Sequence, residues 1–139
     1  MKQLASLVVC AAVLASPLAY GQKADAVRDA VDAANHWLVL ADAGDGAATW
    51  DQAAAPFQAA VTKAAWSDAL RQARQPLGAV MARRMVSSEL SRSLPGAPDG
   101  EYVVVQYDTR FEHKAHAVET VVPMRDHDGK WKVSGYFVK

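Results

Sequence analysis

Glu112, His113 and His116 place three side chains with metal-ligand chemistry within five positions. A zinc centre needs four donors that converge. These three fall at the tip of a predicted hairpin, with no fourth donor beside them, and no metal is expected. His127 stands between Asp126 and Asp128 in a turn, and His36 adjoins Trp37 at the edge of a helical stripe, so both read as solvated or boundary histidines. Arg71, Arg74 and the twin Arg83-Arg84 could gather an acidic ligand. Consecutive strand residues point to opposite faces, however, so Arg83 and Arg84 cannot both serve one site, and a solvated face is the plainer reading. Ser87, Ser88, Ser91 and Ser93 have no histidine and carboxylate near them to complete a hydrolytic triad. Gly44 and Gly46 follow a helix rather than a strand, unlike the glycines of a phosphate loop. The expectation is therefore no catalytic residue and no cofactor.

Binding chemistry is better represented. Trp37, Trp50 and Trp66 fall on the inward faces of helices, where tryptophans build a core or line a pocket for a flat or apolar molecule. The polar groups expected on the inward face of the sheet are Tyr107, Thr109 and Thr120. A ligand site, if inside, would use Trp37, Trp66, Tyr107, Thr109 and Thr120.

The elements that must position these residues follow from periodicity. Val27, Ala30, Val31, Ala34, Trp37, Leu38 and Ala41 recur at spacings of three and four, which predicts a helix over 25–42 with Asp25 as its cap. Thr49 and Gln52 form a capping-box pattern that opens a second helix, bent or split by Pro56. Thr62 caps a third, which carries Trp66 and Leu70 and ends at Pro76. Beyond Gly78 the period changes to two. Residues 79–92, 101–112, 116–125 and 130–138 read as strands, giving an α+β domain: three N-terminal helices packed on one face of a curved four-stranded antiparallel sheet. Trp66 and Trp131 are expected to be buried by the same periods.

With hairpin tips at 113–116 and 126–129, the register sets Phe111 against Val118, Tyr107 against Val122, Val122 against Val133 and Thr120 against Gly135 on the helix-covered side. Arg110, Glu119 and Tyr136 then form a polar cluster on the outer side, where an arginine-held carboxylate is a cross-strand pair rather than a general base. The same outer side would carry Tyr102, Val104, Val121, Pro123 and Val138, an apolar content that points to a homodimer through the sheet.

The chain has 139 residues, 51% hydrophobic and 22% charged, with 15 basic and 15 acidic side chains, enough for one globular domain. A balance near zero disfavours nucleic acid, which selects a concentrated basic surplus. Residues 1–21 read as a signal peptide: Lys2, an apolar run from Leu4 to Ala15, Ser16-Pro17, then small residues at Ala19 and Gly21. The run is well short of the roughly 20 residues a spanning helix needs, so no stable membrane insertion is expected after cleavage. Val9 is too bulky beside Cys10 for a lipoprotein signal. The domain of residues 22–139 would be periplasmic or secreted, with no cysteine.

Trp37-Leu38, Trp50, Phe57, Trp66, Arg74-Gln75-Pro76-Leu77-Gly78, the stretch Leu94 to Tyr102, Thr109-Arg110-Phe111, Glu119-Thr120 and Gly135-Tyr136 together resemble a bacterial family known as domain of unknown function 4019. The resemblance implies exported proteins with a layout similar to nuclear-transport-factor-2-like, cone-shaped folds, and it implies no activity. The resulting expectation is an exported, non-enzymatic module that binds a small ligand or an envelope protein. A small cone-fold enzyme of isomerase or dehydratase type and a structural dimer are the alternatives.

Overall fold

The computed structural model describes residues 17–139; most of the expected signal segment, residues 1–16, lies outside the described residues. Helix α1 (Pro17–Asp42) buries the predicted stripe: Ala30, Ala34, Trp37, Leu38 and Ala41 all lie in the core. It begins earlier than the periodicity predicts, so Asp25 is not a cap and instead pairs with Arg28 at 3.0 Å. Residues 18–25 are fully on the surface, because the apolar stripe begins only at Val27.

The connection to α2 (Gly46–Asp51) is capped by Asp45, whose carboxylate accepts from the Ala48 N–H at 2.9 Å. The predicted cap, Thr49, lies inside that helix, where its hydroxyl donates to the Gly46 carbonyl at 2.7 Å. A Cβ on Gly46 would stand 2.7 Å from Ser67 Cα, so α2 and α4 (Lys63–Arg74) approach as closely as only glycine permits. Pro56 splits the predicted second helix in two, sitting in the first turn of α3 (Ala55–Ala60), where a missing N–H costs nothing. Three expected helices thus become four. Thr62 caps α4 as predicted, accepting from the Ala65 N–H. A 3₁₀ turn over Gln75–Leu77 then leads into the sheet.

Strands β1 (Val80–Ser91), β2 (Tyr102–Phe111), β3 (Lys114–Arg125) and β4 (Trp131–Val138) form an antiparallel meander in sequence order. The architecture is α+β, with α1 packed against the sheet over Val103, Val105, Tyr107, Val121 and Val133. The inward face of β2 is as predicted: Val103, Val105, Tyr107, Thr109 and Phe111 are buried.

The register of β3 is not as predicted. The first hairpin turns at Glu112-His113 with Phe111 opposite Lys114, and an irregularity follows before Ala117 pairs with Thr109. Tyr107 consequently faces Glu119, not Val122. Ala117, Glu119, Val121 and Pro123 turn inward, and Val118 and Thr120 turn outward. The offset is three residues, and any odd offset exchanges the two faces of a strand. In β4 a further residue is inserted: Val122 pairs with Gly135 but Pro123 with Val133, leaving Ser134 as a bulge whose hydroxyl donates to the Val122 carbonyl at 2.9 Å. Val133 is inward before the bulge and Tyr136 after it, while Phe137 stands 59% exposed. Trp66 and Trp131 are only half-buried; the fully enclosed tryptophan is Trp37.

Candidate functional site

The slip in β3 puts a carboxylate where an apolar residue was expected. Glu119 is 0% exposed, in the centre of the inward face. Its Oε1 accepts from Arg83 Nε at 2.8 Å and from Thr109 Oγ1 at 2.6 Å; its Oε2 accepts from the Tyr136 hydroxyl at 2.5 Å and has Arg74 Nη1 at 3.9 Å. Arg83 turns its other two nitrogens to Asp42, at 2.7 and 2.9 Å. Arg74 Nη2 meets the same carboxylate at 2.7 Å, and its guanidinium lies 5.0 Å from the centre of the Phe111 ring.

Each member comes from a different element: Asp42 ends α1, Arg74 ends α4, Arg83 is in β1, Thr109 in β2, Glu119 in β3 and Tyr136 in β4. Arg74 at a helix C-terminus also lies where the helix dipole favours a cation. Two arginines face two carboxylates, so the cluster balances its own charge, which is the condition under which ions tolerate burial. Burial alone would raise the Asp42 carboxyl, but hydrogen bonds from Arg83 and Arg74 outweigh it and hold Asp42 below its ordinary range. Arg83 is raised by its two carboxylate partners against the opposing effect of burial. Burial, then the neighbouring Glu119, pushes the Tyr136 hydroxyl well above its usual value, and burial pushes Tyr107 up to about 12. Neither phenol ionises near neutral pH.

A depressed carboxyl stabilises the fold above its unfolded-state value of 3.8, and that contribution is lost as pH falls through the folded-state value. Asp42→Asn is therefore expected to flatten the decline in stability below about pH 4, read as the slope of urea midpoint against pH beside the parent protein. Parallel slopes in the two proteins would show that Asp42 does not titrate with folding.

The predicted outer cluster of Arg110, Glu119 and Tyr136 does not exist. Arg110 is exposed on the outer face, while Glu119 and Tyr136 meet inside, for the two reasons of register already given. The predicted ligand set also divides. Trp37 donates from Nε1 to the Thr49 carbonyl at 3.0 Å and Trp66 to Thr49 Oγ1 at 2.9 Å, their rings 6.2 Å apart, so both brace α2. Tyr107 donates to Asn35 Oδ1 at 2.7 Å, Thr109 belongs to the charged network, and Thr120 is outward. These five residues do not line one cavity. Glu112 accepts from the Ala79 N–H at 2.9 Å, a structural bond across the hairpin base. Asp42 escapes the sequence reading altogether, and Arg74 and Arg83, expected on a solvated face, are instead 10% and 16% exposed within the network, while Arg71 and Arg84 are solvated. The separation of positions 42, 74, 83, 119 and 136 leaves no local spacing to mark them.

A cleft of about 500 Å³ lies between α1 and the start of β4. Ala33, Trp37, Val39 and Leu40 form one wall; Trp131 and Val133 form the other, with His36, Gln52, Lys130 and Lys132 also lining it. The Trp131 Nε1 atom is buried and has no hydrogen-bond partner. Against this geometry the chain can be compared with known proteins: residues 33–136 match the family described as Protein of unknown function (DUF4019).

The chain belongs to the DUF4019 family.

All six members of the charged network and every residue lining the cleft fall inside the DUF4019 span. The exposed first turns of α1 precede it. No curated protein and no solved structure matches the chain.

Proposed function

We propose that this protein is an exported, non-enzymatic module that binds a small ligand in the cleft between α1 and β4. The observation that carries this reading is the cleft itself, about 500 Å³ and walled mainly by the apolar faces of Trp37, Val39, Leu40, Trp131 and Val133. The size of the cleft is that of a small-molecule site. The enzymatic alternative is weakened by Glu119, the acid best placed inside the sheet: Arg83, Thr109 and Tyr136 already occupy its oxygens. A native mass spectrum of protein purified from its own envelope is expected to show a retained small-molecule adduct. A bare polypeptide mass after gentle purification would count against the binding reading.

Export is supported by the same geometry. Cleavage after Gly21 would trim α1 at surface positions and leave every buried residue of the helix in place. The mature chain is expected to begin at Gln22 or within a few residues of it, by mass analysis of envelope protein. Mature protein still beginning at Met1 would overturn export by this route. A homodimer through the outer sheet face is a second reading: Tyr102, Val121 and Pro123, expected to make that face apolar, are buried instead, and the reading is favoured by Val118 at 46% and Phe137 at 59% exposure, with sedimentation as its test.

A further inference from the structure

We propose that two copies of this chain join through the open edge of β1, so that their sheets run on as one. The two edges of the sheet are not alike. At the β4 edge the Ala54 N–H donates to the Val133 carbonyl at 2.8 Å, which places chain against the outer side of that strand. At the other edge β1 is 12 residues long, and among the described residues its backbone bonds only to β2. Met81, Met85 and Val86 stand exposed along it. An edge strand of that length is a template for another strand.

The backbone groups that face the open side follow from the ladders. Val118 exchanges both of its bonds with Lys139, so it faces β4, and its neighbours Ala117 and Glu119 face β2. Their partners Thr109 and Tyr107 bond back to β3, which leaves Asp108, Gln106 and Val104 to bond to Arg84, Ser87 and Glu89 of β1. The N–H and C=O groups of Arg83, Met85, Ser88 and Leu90 are therefore unpaired at the edge. The irregularity at Val86 widens their spacing at one point, between Met85 and Ser88. A regular strand presents edge groups at every second residue and does not match that gap. A second β1, antiparallel about a two-fold axis midway between Val86 and Ser87, repeats it: Met85 meets Ser88 of the second copy and Arg83 meets Leu90. The same axis sets Arg84 opposite Glu89 of the second copy, twice over, on the face of β1 turned away from α1. Glu89 is exposed and makes no ion pair among the described residues, and the Arg84 bond to Asp108, at 3.3 Å, is an exposed one that is easily exchanged. The edge is thus complementary to itself in hydrogen bonding and in charge.

A groove of about 590 Å³ runs between α1 and this edge, with Ala24, Val27, Val31, Met85 and Ser88 among its lining. Side chains of an added strand alternate, and those turned to the helix side, Met85 and Leu90 of the second copy, enter it. Tyr20 alone among the lining residues precedes the cleavage proposed after Gly21, so the groove survives processing.

Sedimentation equilibrium and hydrogen exchange of the full mature protein test the interface together. The expected result is a dimer whose formation slows exchange at the amides of Arg83, Met85, Ser88 and Leu90. Arg84→Glu and Glu89→Arg are each expected to weaken the dimer about tenfold or more, because each sets like charges opposite one another at both symmetric positions. An equimolar mixture of the two variants is expected to recover the parent affinity as a mixed dimer, in which every such pair is again of opposite charge. A mixture that fails to recover, with both variants folded by circular dichroism, would overturn the proposal. A parent protein that stays monomeric up to its solubility limit would do the same. So would a dimer indifferent to either reversal, or one that leaves the four β1 amides exchanging freely, which would place the contact elsewhere, as on the outer sheet face.

Discussion

Glu119→Gln is expected to destabilise the fold by roughly 3–5 kcal/mol, the cost of removing one partner from a buried ion pair. The outer-face register would have put this cost at about 1 kcal/mol or less, as for a half-exposed pair screened by water. The difference between the two figures is the difference between the two faces of β3. Glutamine can still accept from one of Thr109 and Tyr136, but it cannot answer the charge of Arg83, whose side chain is only 16% exposed. A urea midpoint at pH 7 that barely moves would mean that Arg83 is satisfied by Asp42 alone. Replacing Arg83 and Glu119 together by leucine should recover much of the loss, because Asp42 and Arg74 then remain as a balanced pair at 2.7 Å. A double variant as unstable as the sum of its single variants would show that the two side chains are not coupled.

Trp37→Ala is expected to cost about 3–5 kcal/mol, a figure ordinary for a large ring truncated in a packed interior. The ring is 3% exposed, lies 5.2 Å from Tyr136 and 6.2 Å from Trp66, and donates to the Thr49 carbonyl. Its loss would open a cavity next to the charged network and remove the tie between α1 and α2. Trp66→Ala and Trp131→Ala are expected to cost less, since both rings are partly in solvent. Thermal or urea unfolding of the three variants tests the order, and a larger loss at Trp131 than at Trp37 would contradict it.

The helical half of the fold is legible because apolar periodicity and capping residues act locally. The stripe from Val27 to Ala41 and the Thr62 cap depend on neighbours within a few positions. The four strands are legible for the same reason, as is the inward face of β2, where the residues between the buried ones are mostly polar: Gln106, Asp108 and Arg110. β3 offers no such contrast. Val118, Thr120 and Val122 on one side balance Ala117, Val121 and Pro123 on the other, so a single glutamate looked like the outward residue. What decided the register was a two-residue turn at Glu112-His113, and what turned Tyr136 inward was the bulge at Ser134. Neither leaves a mark in side-chain type, because both are settled by backbone pairing across strands. The cleft was invisible for a related reason: α1 and β4 are separated by most of the chain.

The meander joins each strand to the next along the chain, so all three ladders can close as successive hairpins. The charged network instead ties residue 42 to residues 74 and 83, and residue 83 to residue 119. The Arg83–Asp42 bonds join β1 to the end of α1, so the network can be complete only when that helix has docked on the sheet. On that ordering the helix-to-sheet bonds belong to the late side of the folding barrier, and their weakening in Asp42→Asn should appear chiefly as faster unfolding with refolding nearly unchanged. The ion cluster is then a latch on the native state: it sets how long the molecule stays folded more than how quickly it becomes so.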